Sequence, residues 1–275
     1  MKVVTTGAGG MLGQDVRRVG ELVGHEVVGL DRAALDVTDA RAVEEAFAEL
    51  RPDVAINCAA WTDVDGAESA EADALRLNGD AARNVAAGAA SVGAAVVLPS
   101  TDYVFDGRAE RPYVESDPTN PQSAYGRTKL IGEIEGAAAN PRHFVVRTSW
   151  LFGVGGGNFV ETMLGLAERG ELRVVDDQVG SPTYTAHLAD GLLRLAATED
   201  YGIHHMAGAG HCSWYEFARE IFERAGVSCN VTPVTTAEFP RPAPRPAYSV
   251  LDSEWPRPIR LPDWRDGLRG YLAER

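Results

Sequence analysis

A short apolar run, Val3–Thr5, passes directly into Thr6-Gly7-Ala8-Gly9-Gly10-Met11-Leu12-Gly13. The spacing Gly7-x-x-Gly10-x-x-Gly13, placed between a strand and an apolar-periodic segment, predicts a strand–turn–helix unit. Each glycine has its own reason. Gly7 permits the tight turn, Gly10 lets the backbone approach a pyrophosphate, and Gly13 lets helix and strand pack closely. The helix that opens at Met11 and Leu12 offers unpaired N–H groups and the positive end of its dipole to an anion. The next strand pattern ends at Leu30-Asp31-Arg32, about 20 residues beyond the loop, where an acid accepts hydrogen bonds from an adenosine ribose. Arg32 beside it suits a 2′-phosphate, so the pair admits NADPH or NADH. A lone glycine triplet also occurs in plain strand–helix turns; its place right after the first strand favours a dinucleotide.

The rest of the first half keeps the same rhythm. Strands are expected at Glu26–Leu30, Asp53–Asn57, Ala94–Pro99 and His143–Arg147. Helices are expected at Met11–Val23, Ala40–Leu50, Ala81–Val92 and Ser123–Ala138. Strands that are apolar throughout and separated by helices imply a parallel sheet covered on both faces, so the fold class is α/β, a doubly wound, Rossmann-type sheet. Beyond about residue 150 the rhythm changes to a glycine-rich loop (Gly153–Gly157), a helix over Asn158–Arg169, a strand at Leu172–Val175, helices at Ala186–Ala197 and Trp214–Arg224, and an irregular Pro- and Arg-rich arm, Phe239–Arg260. The expected organisation is a dinucleotide-binding domain over 1–150 and a smaller, mainly substrate-binding lobe over 151–275, with the chain crossing back to the first domain.

Composition narrows the partners. The 275 residues carry 26 Lys and Arg against 40 Asp and Glu, a net charge of −14, which repels a phosphate backbone and argues against nucleic acid. No run approaches the ~18 apolar residues of a membrane span, and the start runs straight into a strand with no room for a signal peptide, so a cytoplasmic setting is expected. Cys58, Cys212 and Cys229 are odd in number, without CxxC spacing, and read as reduced thiols; there is no acidic cluster to hold a metal.

Tyr125-Gly126-Arg127-Thr128-Lys129 places a phenol and an ammonium on one face of a helix. An adjacent ammonium favours ionised tyrosine, lowering a pKa that is otherwise near 10. Such a pair can protonate a carbonyl oxygen as hydride reaches its carbon. Upstream, Pro99-Ser100-Thr101-Asp102 ends a strand at the carboxyl edge of the sheet, and the Thr101 hydroxyl is placed to bond the same oxygen. Lys2 and Lys129 are the only lysines in an arginine-rich chain, so the ammonium at 129 is read as chosen for its chemistry. Alone, Tyr-x-x-x-Lys also describes an ordinary solvated helix face.

With these residues the chain resembles the extended short-chain dehydrogenase/reductase family, and within it the branch that reduces dTDP-4-keto-6-deoxy sugars. The resemblance spans almost the whole chain: TGAGGMLG (6–13), LDVTD (35–39), RPDVAINCAAWTDVDGAE (51–68), STDYVFDG (100–107), YGRTK (125–129), RTSWLFG (147–153), DQVGSPTYTAHLAD (177–190) and RPAYSVLD (245–252). It implies reduction of the C4 ketone of dTDP-4-dehydro-L-rhamnose to dTDP-L-rhamnose, with Thr101, Tyr125 and Lys129 catalytic. It further implies Gly10, Met11 and Leu12 on the cofactor phosphates, Asp31 and Arg32 at the ribose, Asp36 and Val37 by the adenine, and Ala60, Trp61 and Thr62 along the cofactor. Asp102 and Trp150 face the sugar. Met11 stands where the family commonly has Gln or another polar residue, so its contact is expected through the backbone. Arg245, in the arm, is the preferred partner of the two phosphates of a dTDP-sugar, ahead of Arg241; both also suit simple packing of the arm onto an acidic body. Dehydratases of this fold resemble Ser-Thr-Asp-Glu at the strand end; Tyr103 follows Asp102 here, which fits reduction rather than elimination. Two other readings stay open: a non-catalytic, NADP-binding regulatory subunit like the methionine adenosyltransferase beta subunit, and a reductase of a related dTDP-4-keto-hexose such as a dihydrostreptose precursor. Monomer and homodimer are equally compatible with the sequence.

Overall fold

The apolar runs of the first half become the strands of one sheet in the computed structural model, which describes residues 1–275. In chain order these are β1 (Lys2–Thr6), α1 (Met11–Leu22), β2 (Glu26–Leu30), α2 (Ala40–Leu50), β3 (Val54–Asn57), α3 (Ala81–Ser91), β4 (Ala95–Thr101), α4 (Ala124–Ala139) and β5 (His143–Thr148). There follow α5 (Phe159–Leu166), β6 (Glu171–Val175), α6 (Thr185–Ala196), β7 (Gly202–His205), α7 (Trp214–Ala225), β8 (Asn230–Val234) and α8 (Trp264–Glu274). The central sheet is parallel throughout, in the order β7-β5-β4-β3-β1-β2.

That order fixes where a ligand goes. From β1 the chain steps outward to β2 and then crosses back to β3 on the other side of β1, so the connections leaving β1 and β3 diverge and open a crevice at their carboxyl ends. Alternation along each strand builds the two layers around it. Val3, Val54, Ile56 and Val97 face α1 and α6, whereas Val4, Ala55, Val96 and Val145 face α2 and α3. Phe47 is fully buried in the second layer, where truncation to alanine costs about 3–5 kcal/mol.

Four features lie outside the sequence expectations. β7 joins the central sheet beside β5, yet Gly-Ile-His-His has no apolar run, because an edge strand at the end of a sheet is only half covered. β8 pairs in parallel with β6 as an edge where Pro233 is tolerated. The helix α8 carries Gly267, whose added Cβ would press on Tyr184, so close packing overrides helix propensity there. Lastly, helix begins at Glu71 rather than Ala81, passing through a wide π turn at Arg76–Asp80 into α3.

A second core unites α5, α7 and α8 around Phe152, Phe217, Trp264 and Tyr271. The arm from Phe239 to Arg260 lacks helices and paired strands but is pinned at both sides. Tyr248 N–H donates to the Gly107 carbonyl at 3.1 Å, Val179 N–H to Ala247 at 2.8 Å, and Tyr113 N–H to Val250 at 2.9 Å. It thereby ties the loop after β4 to the loop after β6. No helix is long and apolar enough to cross a membrane.

Candidate active site

The turn after β1 is built for close backbone approach. Gly7 has φ +64°, and a Cβ there would sit 2.5 Å from the Ala59 nitrogen; one at Gly13 would collide with the Gly7 carbonyl. Gly10 caps α1 without any side-chain bond, so the first N–H groups of that helix, at Met11, Leu12 and Gly13, are left for an outside acceptor. In front of them lies a cleft of about 530 Å³ lined by Gly7, Gly10, Arg32, Asp36, Val37, Ala60 and Trp61, joined by Cys58, Ala59 and Arg76. Asp31 borders an adjoining hollow with Gly9, Gly10 and Arg32. A glycine cradle, a free helix start and a cleft with arginine at its far end fit a dinucleotide. Leu12 is buried, and the Met11 side chain turns onto Gly156 and Asn158 of the glycine-rich loop, leaving its backbone to the cleft. Thr62 is exposed and outside the cleft lining.

The π turn supplies the cleft's floor. Its Asn78 accepts from Trp61 N–H at 2.9 Å and donates to the Thr128 hydroxyl at 3.1 Å, bridging the loop after β3 to α4. Single π turns gather at functional sites, but nothing in Arg76-Leu77-Asn78-Gly79-Asp80 marks one by residue type.

Thr101, Tyr125 and Lys129 converge beside this cleft. β4 ends at Thr101, and Ser123 caps α4 by accepting from Gly126 N–H at 3.1 Å, which starts the helix so that Tyr125 falls in its first turn. Gly126 lets that turn touch the Tyr103 carbonyl, and Tyr125 packs edge-on against the Tyr103 ring at 5.6 Å. Burial pushes the Tyr125 phenol up to about 12, against the pull of the Thr101 hydroxyl. Burial likewise pushes the Lys129 ammonium down to about 8. Its Nζ donates to the Pro99 carbonyl at 2.7 Å. The expected lowering of the tyrosine by the lysine is not seen: burial dominates the phenol, the Thr101 hydroxyl is what opposes it, and the ammonium is engaged by the Pro99 carbonyl.

The neighbouring wall is made of side chains from distant segments. Asp102 is buried and accepts from Thr101 Oγ1 at 3.0 Å, while its Oδ2 and the buried Ser249 hydroxyl have no hydrogen-bond partner. Burial pushes Asp102 up to about 6, opposed by the Ser249 hydroxyl, which lies near the carboxylate without completing a hydrogen bond, and by the Thr101 hydroxyl. Trp150 has φ +49°, an uncommon region for an aromatic residue, and stacks on Trp214 at 3.4 Å. Gly180 makes room for the indole. Arg245 lies in a hollow of about 250 Å³ with Tyr103, Gly107 and Gln122, paired to Asp65 at 3.0 Å. Arg241 is farther from the same carboxylate, at 3.7 Å, and more exposed. The sequence reading did not single out Asn78, Ser249 or Trp214; Ser249 and Trp214 carry no spacing signal because they reach the site only through the arm and α7.

The model of the RmlD substrate binding domain family matches residues 1–275. The chain belongs to this family. A dTDP-4-dehydrorhamnose reductase of Streptomyces griseus is 45% identical over 278 residues, covering 96% of this chain and 91% of the relative. A probable dTDP-4,6-dihydroxy-2-methyloxan-3-one 4-ketoreductase of Streptomyces antibioticus is 46% identical over 279 residues, covering 98% and 94%. Among solved structures, a dTDP-4-dehydrorhamnose reductase of Bacillus anthracis in complex with NADP superposes with a TM-score of 0.96 at 40% identity, over 100% of this chain and 99% of that one.

Proposed function

We propose that the protein is an NADPH- or NADH-dependent reductase converting the C4 ketone of dTDP-4-dehydro-L-rhamnose to the alcohol of dTDP-L-rhamnose. The observation that carries this reading is the Tyr125 phenol set against the Thr101 hydroxyl, with Lys129 near Cys58 of the glycine-lined cleft, within a family whose relatives bear that activity in their names. When bound, the dinucleotide supplies hydride to C4. Tyr125 gives its phenolic proton to the C4 oxygen, and Thr101 turns its hydroxyl from Asp102 to that oxygen. Lys129 holds the nicotinamide ribose and stabilises the phenolate left behind. Asp102 and Ser249, each with an unpartnered buried oxygen, bond sugar hydroxyls; Trp150 covers the ring; Arg245 exchanges Asp65 for the diphosphate. In this reading residues 1–150 chiefly hold the dinucleotide and 151–275 chiefly the sugar nucleotide, and the protein works as a monomer or homodimer in the cytoplasm.

The Streptomyces antibioticus relative favours a second reading, a ketoreductase of a differently substituted dTDP-hexose. A coupled assay separates them: dTDP-4-dehydro-L-rhamnose is generated in place and the loss of NADPH absorbance followed. Turnover to dTDP-L-rhamnose is the expected result. Turnover of another dTDP-4-keto-hexose alone supports the second reading, and tight NADPH binding without turnover of either supports a regulatory subunit.

A further inference from the structure

One helical turn beyond Lys129, a glutamate is buried with an arginine. Glu133 follows Lys129 by four residues on α4 and so shares its face. The two line one cavity of about 10 Å³ with Ser100, Asn57 and Asn78. Glu133 accepts from Arg147 at 2.8 and 3.0 Å and from the Ser100 hydroxyl at 2.5 Å, and the Glu133 and Arg147 side chains are 5% and 3% exposed. Arg147 lies over the Phe105 ring and leaves Nη1 without a partner. Apolar residues of similar volume often serve stability as well as a buried pair does. Packing alone does not account for this one.

We propose that Glu133 is a positioning residue that acts through Lys129, supplying the counter-charge that keeps the enclosed ammonium protonated behind Tyr125. The inference rests on the catalytic reading of Lys129 given above. The groups facing that ammonium are few. From the end of β3 and the loop after it come Asn57 and the Cys58 thiol, which burial pushes up to about 12; from β4 come the Pro99 carbonyl and Ser100; from the π turn comes Asn78. On α4 itself, Glu133 lines the same cavity and Tyr125, also held neutral, lies one turn away on the same face, while Arg147 of β5 lies beyond the glutamate. Glu133 is the one ionised group among the direct neighbours. Burial drives Lys129 down, and Glu133 is the largest influence raising it. Without that carboxylate the ammonium loses its proton in the neutral range.

The lysine count makes this measurable. Only Lys2 and Lys129 exist, so protein carrying carbon-13-labelled lysine gives two side-chain signals, and the titration of each is followed by NMR. Glu133→Gln is expected to move the Lys129 midpoint down by about one pH unit, a tenfold change in proton affinity. The fall of kcat at high pH moves with it, and activity returns on acidification. Glu133→Gln with Arg147→Met removes the buried pair together and leaves no unpaired guanidinium, so it keeps the test open where the single variant fails to fold; it moves the midpoint the same way. A folded variant whose Lys129 titrates as in the unmutated protein, with only thermal stability lowered, overturns the proposal. Absence of sugar reduction by the unmutated enzyme would instead count against the proposed function and leave the lysine titration readable.

Discussion

The surfaces proposed to receive the dinucleotide and the sugar form two walls of different materials. The wall after β1 is backbone: glycines, helix N–H groups, and acids already satisfied by their own loops. Asp31 accepts from Ala33 and Ala34 N–H at 3.0 Å each, and Asp36 accepts from Thr38 N–H and hydroxyl at 3.0 and 2.7 Å, which holds its carboxyl below the usual range. The proposed sugar wall is side chain, drawn from positions 102, 150, 245 and 249, and it retains unmet demands: orphaned oxygens on Asp102 and Ser249 and a left-handed backbone at Trp150. A backbone wall is rigid at little cost to stability, since its groups are those of the fold itself. A side-chain wall holds polarity ready for a ligand, and the unliganded protein bears the penalty.

Removing the chemistry without touching either wall tests whether the two belong to one reaction. Tyr125→Phe keeps the ring that packs on Tyr103 and deletes the proton donor. Turnover should fall by about 10²–10⁴, with NADPH affinity and thermal stability near those of the unmutated protein. Steady-state kinetics alongside a cofactor titration checks this, and turnover that stays near normal would dissociate the phenol from both walls.

The penalty borne by the side-chain wall has a pH signature at Asp102. Its folded pKa is raised to about 6 from 3.8, so the native state holds a proton that the unfolded chain has released. Stability contributed by this group is therefore lost as pH rises from about 4 to about 6, and the loss levels off above that. Two pH units correspond to about 3 kcal/mol as an upper bound. Asp102→Asn removes the ionisation; it should unfold at higher urea concentration near pH 7 and show no gain near pH 4, while sugar turnover falls. An Asn variant no more stable at neutral pH would show that the carboxylate's burial is already compensated.

The contrast between the walls also explains what was legible in the sequence. Gly7, Gly10 and Gly13 follow from local geometry, since a tight turn and close approach admit no Cβ, and strands that are apolar throughout told that both faces of the sheet are covered. Tyr125 and Lys129 were visible because one helix fixes their spacing. Ser249 and Trp214 were not, because they arrive through an arm and a helix whose placement depends on tertiary contacts such as Tyr248 to Gly107. The π turn at Arg76–Asp80 was hidden for a related reason: Asn78 is held by Trp61 and Thr128, 17 and 50 residues away. Even for Lys129, whose helix was readable, the surroundings are not conveyed by spacing, since its bond to Pro99 and its burial set its charge.

Arg245 sharpens the comparison further, because it is the one cation of the side-chain wall with a partner to exchange. Its side chain is 18% exposed and bound to Asp65, and an incoming diphosphate replaces one anion by another. Arg245→Ala should raise KM for the dTDP-sugar by about 10- to 100-fold, the range of one to two charge-assisted hydrogen bonds, with kcat less affected. Arg241→Ala should do much less. Equal KM values for the unmutated and Arg245→Ala enzymes would mean that the anion is held elsewhere.

The smallest effect belongs to the backbone wall, at the end where the cofactor's two forms differ. Asp31 has one carboxylate oxygen committed to the loop, leaving the other for a ribose hydroxyl, while Arg32 and Arg76 both border the cleft and are free of strong ion pairs to its acids. Arg76 reaches only Asp73, at 3.8 Å and on the surface, a contact worth little. A 2′-phosphate can thus meet two guanidinium groups, and a 2′-hydroxyl can meet Asp31. With both options built in, neither cofactor is excluded and the preference for NADPH is modest. Arg32→Ala should weaken NADPH by about tenfold or less, the scale of one partly exposed charge pair of up to ~1 kcal/mol, and leave NADH nearly unchanged. Because the adjoining backbone is untouched, the glycine cradle continues to hold the diphosphate, so the loss should appear as a change in the ratio of the two affinities. Fluorescence titration of the variant with each cofactor measures that ratio. Equal losses would place the 2′-phosphate on Arg76 or in solvent and reduce Arg32 to a solvated turn residue.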